Sequence, residues 1–286
     1  TCFNVASTAF LFPLTGQLER LARFTVKETA EHEEFQLLDE RLLSTPSIAI
    51  ERSRTLTNDM AGLSRTTFLD ALEQLDGFDE KKAAAIHKAE AGADLYEDKL
   101  GTYLVKLSSR SLSFSDSQDI SRLLHSIGDF ERISDHAVNV LDAAREIHEK
   151  KIAFSDEAKQ ELQVMIHAVK EILDLAVDCF VTNDPGIANL VEPLEEVVDD
   201  LKNELRRRHI QRLQRGDCTI ELGFIFSDLL TNFERVSDHC SNIAVCVIEL
   251  SHNSFETHGY LHGIKNGGNK EFVEQYNAYR KKYQLV

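Results

Sequence analysis

Between residues 48 and 250, apolar residues recur at three- and four-residue steps, the spacing that lines one face of an α-helix. The pattern predicts six helices, over 48–75, 80–108, 117–149, 155–182, 185–214 and 219–250, and a shorter one over 270–283. Residues that start or stop helices stand between them. Pro46, flanked by Ser44, Thr45 and Ser47, marks the first start. Ser117 or Asp116 opens the third helix, Ser155 the fourth and Asp184-Pro185 the fifth, while Gly77 and Gly216 close the first and fifth. A helix of about 30 residues is about 45 Å long. Six of them joined by short loops are expected to pack as antiparallel bundles, an all-α fold.

The pattern repeats. FERISDHAVNV (130–140) returns as FERVSDHCSNI (233–243), 103 residues later. Upstream, Glu90 and Asp94 are matched by Glu195 and Asp199, 105 residues later. The chain therefore reads as two three-helix units of similar length.

Each repeat carries two Glu-x-x-x-Asp pairs, and residues four apart share a helix face. Glu131 and Asp135 lie in line with Ile120, Leu124 and Ile127 before them and Val138 and Leu141 after. Glu234 and Asp238 are framed in the same way by Phe226, Leu230, Val245 and Ile248. Glu90 and Asp94 fall between Ile86 and Leu104. Glu195 and Asp199 flank Leu194 and Val198, at the edge of their stripe. These acids are expected to interrupt core-facing stripes, which is costly without compensation. Arg132 and Arg235 are adjacent to their glutamates and are expected to point about 100° away. A multivalent cation held between two helices compensates better, and oxygen donors suit hard ions. One such pair alone usually sits on a solvated face; four pairs at matching offsets favour a cation site. His136 and His239 follow the second acid and are expected to point aside, as supporting or surface groups, with metal ligation the lesser alternative that their recurrence keeps open. Asn139 and Asn242, four residues beyond each aspartate, are placed to bond the carboxylates.

Composition narrows the field. Only 4 Pro and 13 Gly interrupt the chain, and hydrophobic residues make up 42%, enough for a core. The net charge of −16 makes the chain a poor partner for nucleic acid and anionic lipid and a natural one for cations. The five cysteines form no CxxC, which suits free thiols in a reducing compartment and argues against a thiolate zinc site. The run CFNVASTAFLFPL (2–14) is too short to span a bilayer alone. It reads either as the end of a membrane helix, with Arg20, Arg23 and Lys27 on the cytoplasmic side, or as a buried helix of a soluble protein.

DFERISDHAVNV and NFERVSDHCSNI resemble the repeated signature of the PhoU family of phosphate-uptake regulators. The resemblance covers about residues 48–250. It implies two tandem three-helix bundles and multinuclear metal clusters of iron or zinc, with manganese or magnesium as alternatives. Carried over by position, Glu90, Asp94, Glu131 and Asp135 would hold the first cluster. Glu195, Asp199, Glu234 and Asp238 would hold the second, the pairs on the second and fifth helices being uncertain by one turn. The flanks resemble bacterial sodium-dependent phosphate cotransporters. On that reading residues 1–27 end a transmembrane domain and 28–47 are a linker. Residues 48–251 are the PhoU-like domain (repeats 48–150 and 155–251), and 252–286 a C-terminal extension broken at Gly267-Gly268.

The implied function is metal-dependent regulation of phosphate uptake at the cytoplasmic side of the cell membrane. The expected partner is the transporter's own transmembrane domain. Inorganic phosphate could bind through the metal, nucleic acid is excluded as a partner, and a homo-oligomer is left open. The chain has no GxSxG, phosphate-cradling glycine loop or HExxH, so no catalytic residue and no organic cofactor are assigned and the domain is read as non-enzymatic. The alternatives are a carboxylate-bridged multinuclear metalloenzyme and a metal-free helical scaffold.

Overall fold

Capping chemistry and proline set the boundaries of the helices. The computed structural model describes residues 38–252 and 270–285. After a 3-10 turn at Glu40–Ser44, the helices are α1 (Pro46–Gln74), α2 (Glu80–Ser108), α3 (Phe114–Lys150), α4 (Asp156–Thr182), α5 (Pro185–Ala188), α6 (Val191–Arg215), α7 (Ile220–His252) and α8 (Lys270–Lys282). No strand occurs among the described residues. Pro46 occupies the first turn of α1, where its missing N–H has no partner to lose. Asp79 caps α2 by accepting from the Lys81 and Lys82 amides, and Ser155 caps α4 through the Ala158 amide.

Three boundaries differ from the sequence expectation. α3 opens at Ser113, whose hydroxyl accepts from the Asp116 amide while the Asp116 carboxylate accepts from the Ser113 amide; Asp116 is thus the second half of a capping box and not the cap. The fifth predicted helix is two pieces. Pro193 lies in the first turn of α6, and its ring would collide with the Asn189 carbonyl if the helix ran on from α5. α1 ends in right-handed geometry at Leu75, so Gly77 does not close it by a left-handed turn. Gly216 does close α6, with φ of 78°. Gly216→Ala is expected to lower stability by about 1 kcal/mol. An unchanged denaturant midpoint would show that the turn tolerates a Cβ.

α1, α2 and α3 form one antiparallel bundle, and α4, α6 and α7 the second, with α5 joining α4 to α6. Small hydroxyl residues let α1 approach its neighbours. Buried Ser53 and Thr57 donate to the carbonyls of Ala49 and Ser53, and Ser64 accepts from Ser134 of α3 at 3.0 Å. The bundles meet through α3 against α7 and α1 against α4. The signature phenylalanines cross this seam in both directions. Phe130 of α3 meets Phe180 of α4 edge-on at 5.1 Å, and Phe233 of α7 meets Phe68 of α1 at 6.4 Å. Phe68 and Phe180 occupy matching places, because the buried positions of α1 and α4 coincide at a step of 112 residues (Ile50 with Leu162, Met60 with Ile172). Arg122 of α3 closes the end of α4, donating to Asn183 Oδ1 and the Phe180 carbonyl, and Arg65 pairs with Asp174 at 2.6 Å.

α8 lies on the second repeat. Tyr276 donates to Asp200 of α6, and Lys282 and Tyr283 both bond Glu171 of α4. Four cysteines, Cys179, Cys218, Cys240 and Cys246, are free; burial pushes the Cys179 and Cys246 thiols up to about 12 and leaves them inert. No helix among the described residues is long and apolar enough to cross a membrane. The apolar run 2–14, residues 28–37 of the linker and the Gly267-Gly268 break lie outside the described residues.

Candidate metal centres

The first centre lies between α2 and α3. One carboxylate oxygen each from Glu90, Asp94 and Asp135 lies within 4.8 Å of the others, and Glu131 stands one turn before Asp135. Burial, together with the like charges of Asp135, Asp94 and Glu97, pushes the Glu131 carboxyl up to about 6 against the opposing pull of Arg132. Glu90 is raised by burial and by Asp94 and Asp135. Four acids are therefore held close enough to repel one another, in an all-oxygen donor set that suits a hard multivalent cation.

The second centre lies between α6 and α7. Asp199 is raised by burial, then by Glu234, Asp238 and Glu196, with Lys202 opposing. Asp238 is raised by burial and by Glu234. Lys202 Nζ stands 2.5 Å from the Glu234 carboxylate. Glu195 is buried, and one oxygen each from Glu192, Glu195 and Glu196 lies within 4.8 Å of the others. On α6, the charge of Glu196 also acts on Asp199.

Two expectations about these acids are corrected. On α3 they flank the core stripe instead of interrupting it: Ile127, Phe130, Ile133, Ala137 and Val140 face the core, while the Glu131 and Asp135 side chains remain 21% and 32% exposed; Glu195 of α6 is buried. Leu124 and Val138, placed on the stripe by periodicity, are only half-buried. Arg132 does not point away. Its long stem carries the guanidinium to within 3.4 Å of Glu131 and 3.1 Å of Asp135, and Arg235 reaches Asp238 at 3.3 Å. Both arginines lie on the open rim, where such pairs contribute little.

The repeated histidines and asparagines build the seam between the bundles. His136 and His239 face each other with ring centroids 5.7 Å apart. His136 Nδ1 lies 2.8 Å from Asn232 Oδ1, and His239 Nδ1 lies 2.8 Å from Asp129 Oδ1. Asn139 donates to Asn232 and Asn242 to Asp129, so the asparagines bond across the seam and not to the carboxylates of the centres. Asp129 and Asn232 escape a reading centred on Glu-x-x-x-Asp. Their signal is a second spacing inside the motif, with seven residues to the histidine and ten to the asparagine, which sets all three on one face. Each motif helix thus presents its acids to its own bundle and its histidine to the other.

Comparison with known proteins agrees with this architecture. A family model described as PhoU domain matches residues 57–144 and 162–247, one span in each bundle. The phosphate-specific transport system accessory protein PhoU homolog 1 of Thermotoga maritima is 26% identical over 223 residues, covering 75% of this chain and 94% of that protein. A putative inorganic phosphate export protein, YjbB of Salmonella typhimurium, is 20% identical over 255 residues, 86% of this chain but 46% of the relative. The crystal structure of PhoU from Pseudomonas aeruginosa superposes with a TM-score of 0.67 at 25% identity, covering 71% of this chain and 97% of that one. The PhoU of Streptococcus pneumoniae shares the fold with a TM-score of 0.64 at 18% identity. Two matched bundles, each carrying the repeated motif on its last helix, place this chain in the PhoU domain family.

Proposed function

We propose that this chain is a non-enzymatic, metal-binding regulator of phosphate transport that works at the cytoplasmic side of the cell membrane. The observation that carries this reading is the pairing of acids across α2/α3 and α6/α7, where burial and mutual repulsion raise Glu90, Glu131, Asp199 and Asp238 together. In the first centre Glu90, Asp94, Glu131 and Asp135 would hold the cation. In the second Asp199, Glu234 and Asp238 would, with Glu195 and Glu196 at its α6 edge. The oxygen donors suit iron, manganese or magnesium better than zinc, which structural sites hold mostly through nitrogen and sulfur. A bound cation would neutralise the acids and cross-link the two helices that carry them. α3 and α7 carry both the acids and the seam, so a shift at either centre reaches the other bundle through His136 and His239.

The partner in this proposal is a membrane domain of the chain's own transporter, of the sodium-dependent phosphate cotransporter type. Support comes from the export-protein relative, whose match covers 86% of this chain and spans less than half of that protein. The Thermotoga maritima relative, named as a transport-system accessory protein, supports regulation over catalysis. The histidines of the motif, the natural additional ligands of a metalloenzyme, are engaged at the seam.

Elemental analysis of protein purified without chelator, beside Asp135→Asn/Asp238→Asn, tests the reading. Several equivalents of metal in the parent and few in the variant are expected. Less than one equivalent in both, with equal melting temperatures and no response to added metal, would leave the metal-free scaffold as the better account.

A further inference from the structure

The two carboxylate centres are not copies of each other. The buried positions of α2 and α6 coincide at a step of 105 residues: Ile86, Ala93, Leu100 and Leu104 are matched by Val191, Val198, Leu205 and His209. At that step Glu90 and Asp94 fall on Glu195 and Asp199, and Glu97 falls on Lys202. The next position along the same face is therefore an acid in one centre and a base in the other. Glu97 adds to the repulsion felt by Glu131. Lys202 forms a 2.5 Å ion pair with Glu234, with the two side chains 20% and 18% exposed, and its charge also acts on Asp199 and Asp238. The rim arginines are similarly exposed and hold equivalent aspartates; Arg132 also reaches Glu131 at 3.4 Å, but from a side chain 61% exposed, against the 20% exposed Lys202 on Glu234. The close-set acids differ too. Glu90, Asp94 and Asp135 converge from two helices, whereas Glu192, Glu195 and Glu196 gather on one.

Resting on the metal reading above, we infer that the two centres fill in order, the α2/α3 centre first. Lys202 is a built-in counter-ion that a cation must displace from Glu234 to occupy the second centre. An ammonium at hydrogen-bonding distance already satisfies the carboxylate that a metal would use, so the energy of breaking that pair is subtracted from cation affinity. The first centre has no lysine at the matching place; its arginine, Arg132, is 61% exposed and weakly held, so more of the repulsion remains for a cation to relieve. The domain therefore responds to cations over two concentration ranges, with one cross-linked bundle as the intermediate state.

Calorimetric titration of the metal-free full chain with Mn2+ tests this, beside Glu131→Gln, Glu234→Gln and Lys202→Met, the last keeping the aliphatic stem. Two classes of site at least about tenfold apart are expected in the parent. Glu131→Gln should remove the tighter class and Glu234→Gln the weaker, and Lys202→Met should tighten the weaker by about tenfold. Far-UV circular dichroism melts confirm that each variant is folded. A single class in the parent, loss of the weaker class in Glu131→Gln, or unchanged affinities in Lys202→Met overturns the ordered filling and leaves the metal reading standing. No Mn2+ binding to the parent overturns the metal reading and this inference with it.

Discussion

Phe233→Ala is expected to cost about 3–5 kcal/mol and to destabilise both bundles together. Phe233 is fully buried, and its ring meets Phe68 of the other repeat edge-on. Truncation removes the buried ring and leaves a ring-sized cavity at the seam, which rigid helices on both sides relax into only partly. Phe130, which meets Phe180 in the opposite direction, should show a loss of similar size. Phe224, on the same helix as Phe233 but 68% exposed, is the control; Phe224→Ala should change stability by no more than about 0.5 kcal/mol. Urea unfolding followed by circular dichroism reads all three. A two-step transition in Phe233→Ala, with half of the helical signal keeping the parent's midpoint, would mean that the bundles fold independently and that the crossed phenylalanines only touch.

The second large effect concerns Glu131 in metal-free protein. A carboxyl raised from 4.5 to about 6 in the folded state binds its proton more tightly there than in the unfolded chain. The penalty is absent below pH 4.5, grows as pH rises through the folded value, and is complete above about 6. Its size is about 1–2 kcal/mol, discounted for the part of the side chain that solvent reaches. Glu131→Gln should therefore stabilise the metal-free protein by about 1–2 kcal/mol at pH 8 and change it little at pH 4. Glu90, Asp199 and Asp238 are shifted in the same direction, so the parent's own dependence on pH should exceed that of Glu131 alone. The sign reverses when metal is added: the parent gains stability and the variant gains less, because a carboxylate that repels its neighbours is the one a cation rewards most. If Glu131→Gln proves less stable than the parent in metal-free buffer at pH 8, the pairing with Arg132 outweighs the repulsion, and the centre is an ion-pair network with no stored preference for a cation.

The helices, their order and their duplication were legible in the residues alone. α2 runs over the span that its apolar periodicity predicts, Glu80–Ser108, and Ser155, Asp184 and Gly216 act at the helix ends where they were expected. Local chemistry suffices there, because a cap or a left-handed glycine acts within one turn. The break before α6 was also local, in Pro193, whose collision falls four residues upstream, where a reading by periodicity does not look. What periodicity cannot supply is rotation. It sets the angle between two residues about one helix axis, not the angle of that helix against its neighbour. Only tertiary packing therefore decided that Glu131 and Asp135 flank the core stripe instead of sitting in it, and that His136 and His239 meet across the seam. Pairing across helices was out of reach for the same reason. That Glu97 faces the acids of α3 while Lys202 neutralises Glu234 depends on distances of a few ångströms between residues tens of positions apart, and on how far each pair is withdrawn from water.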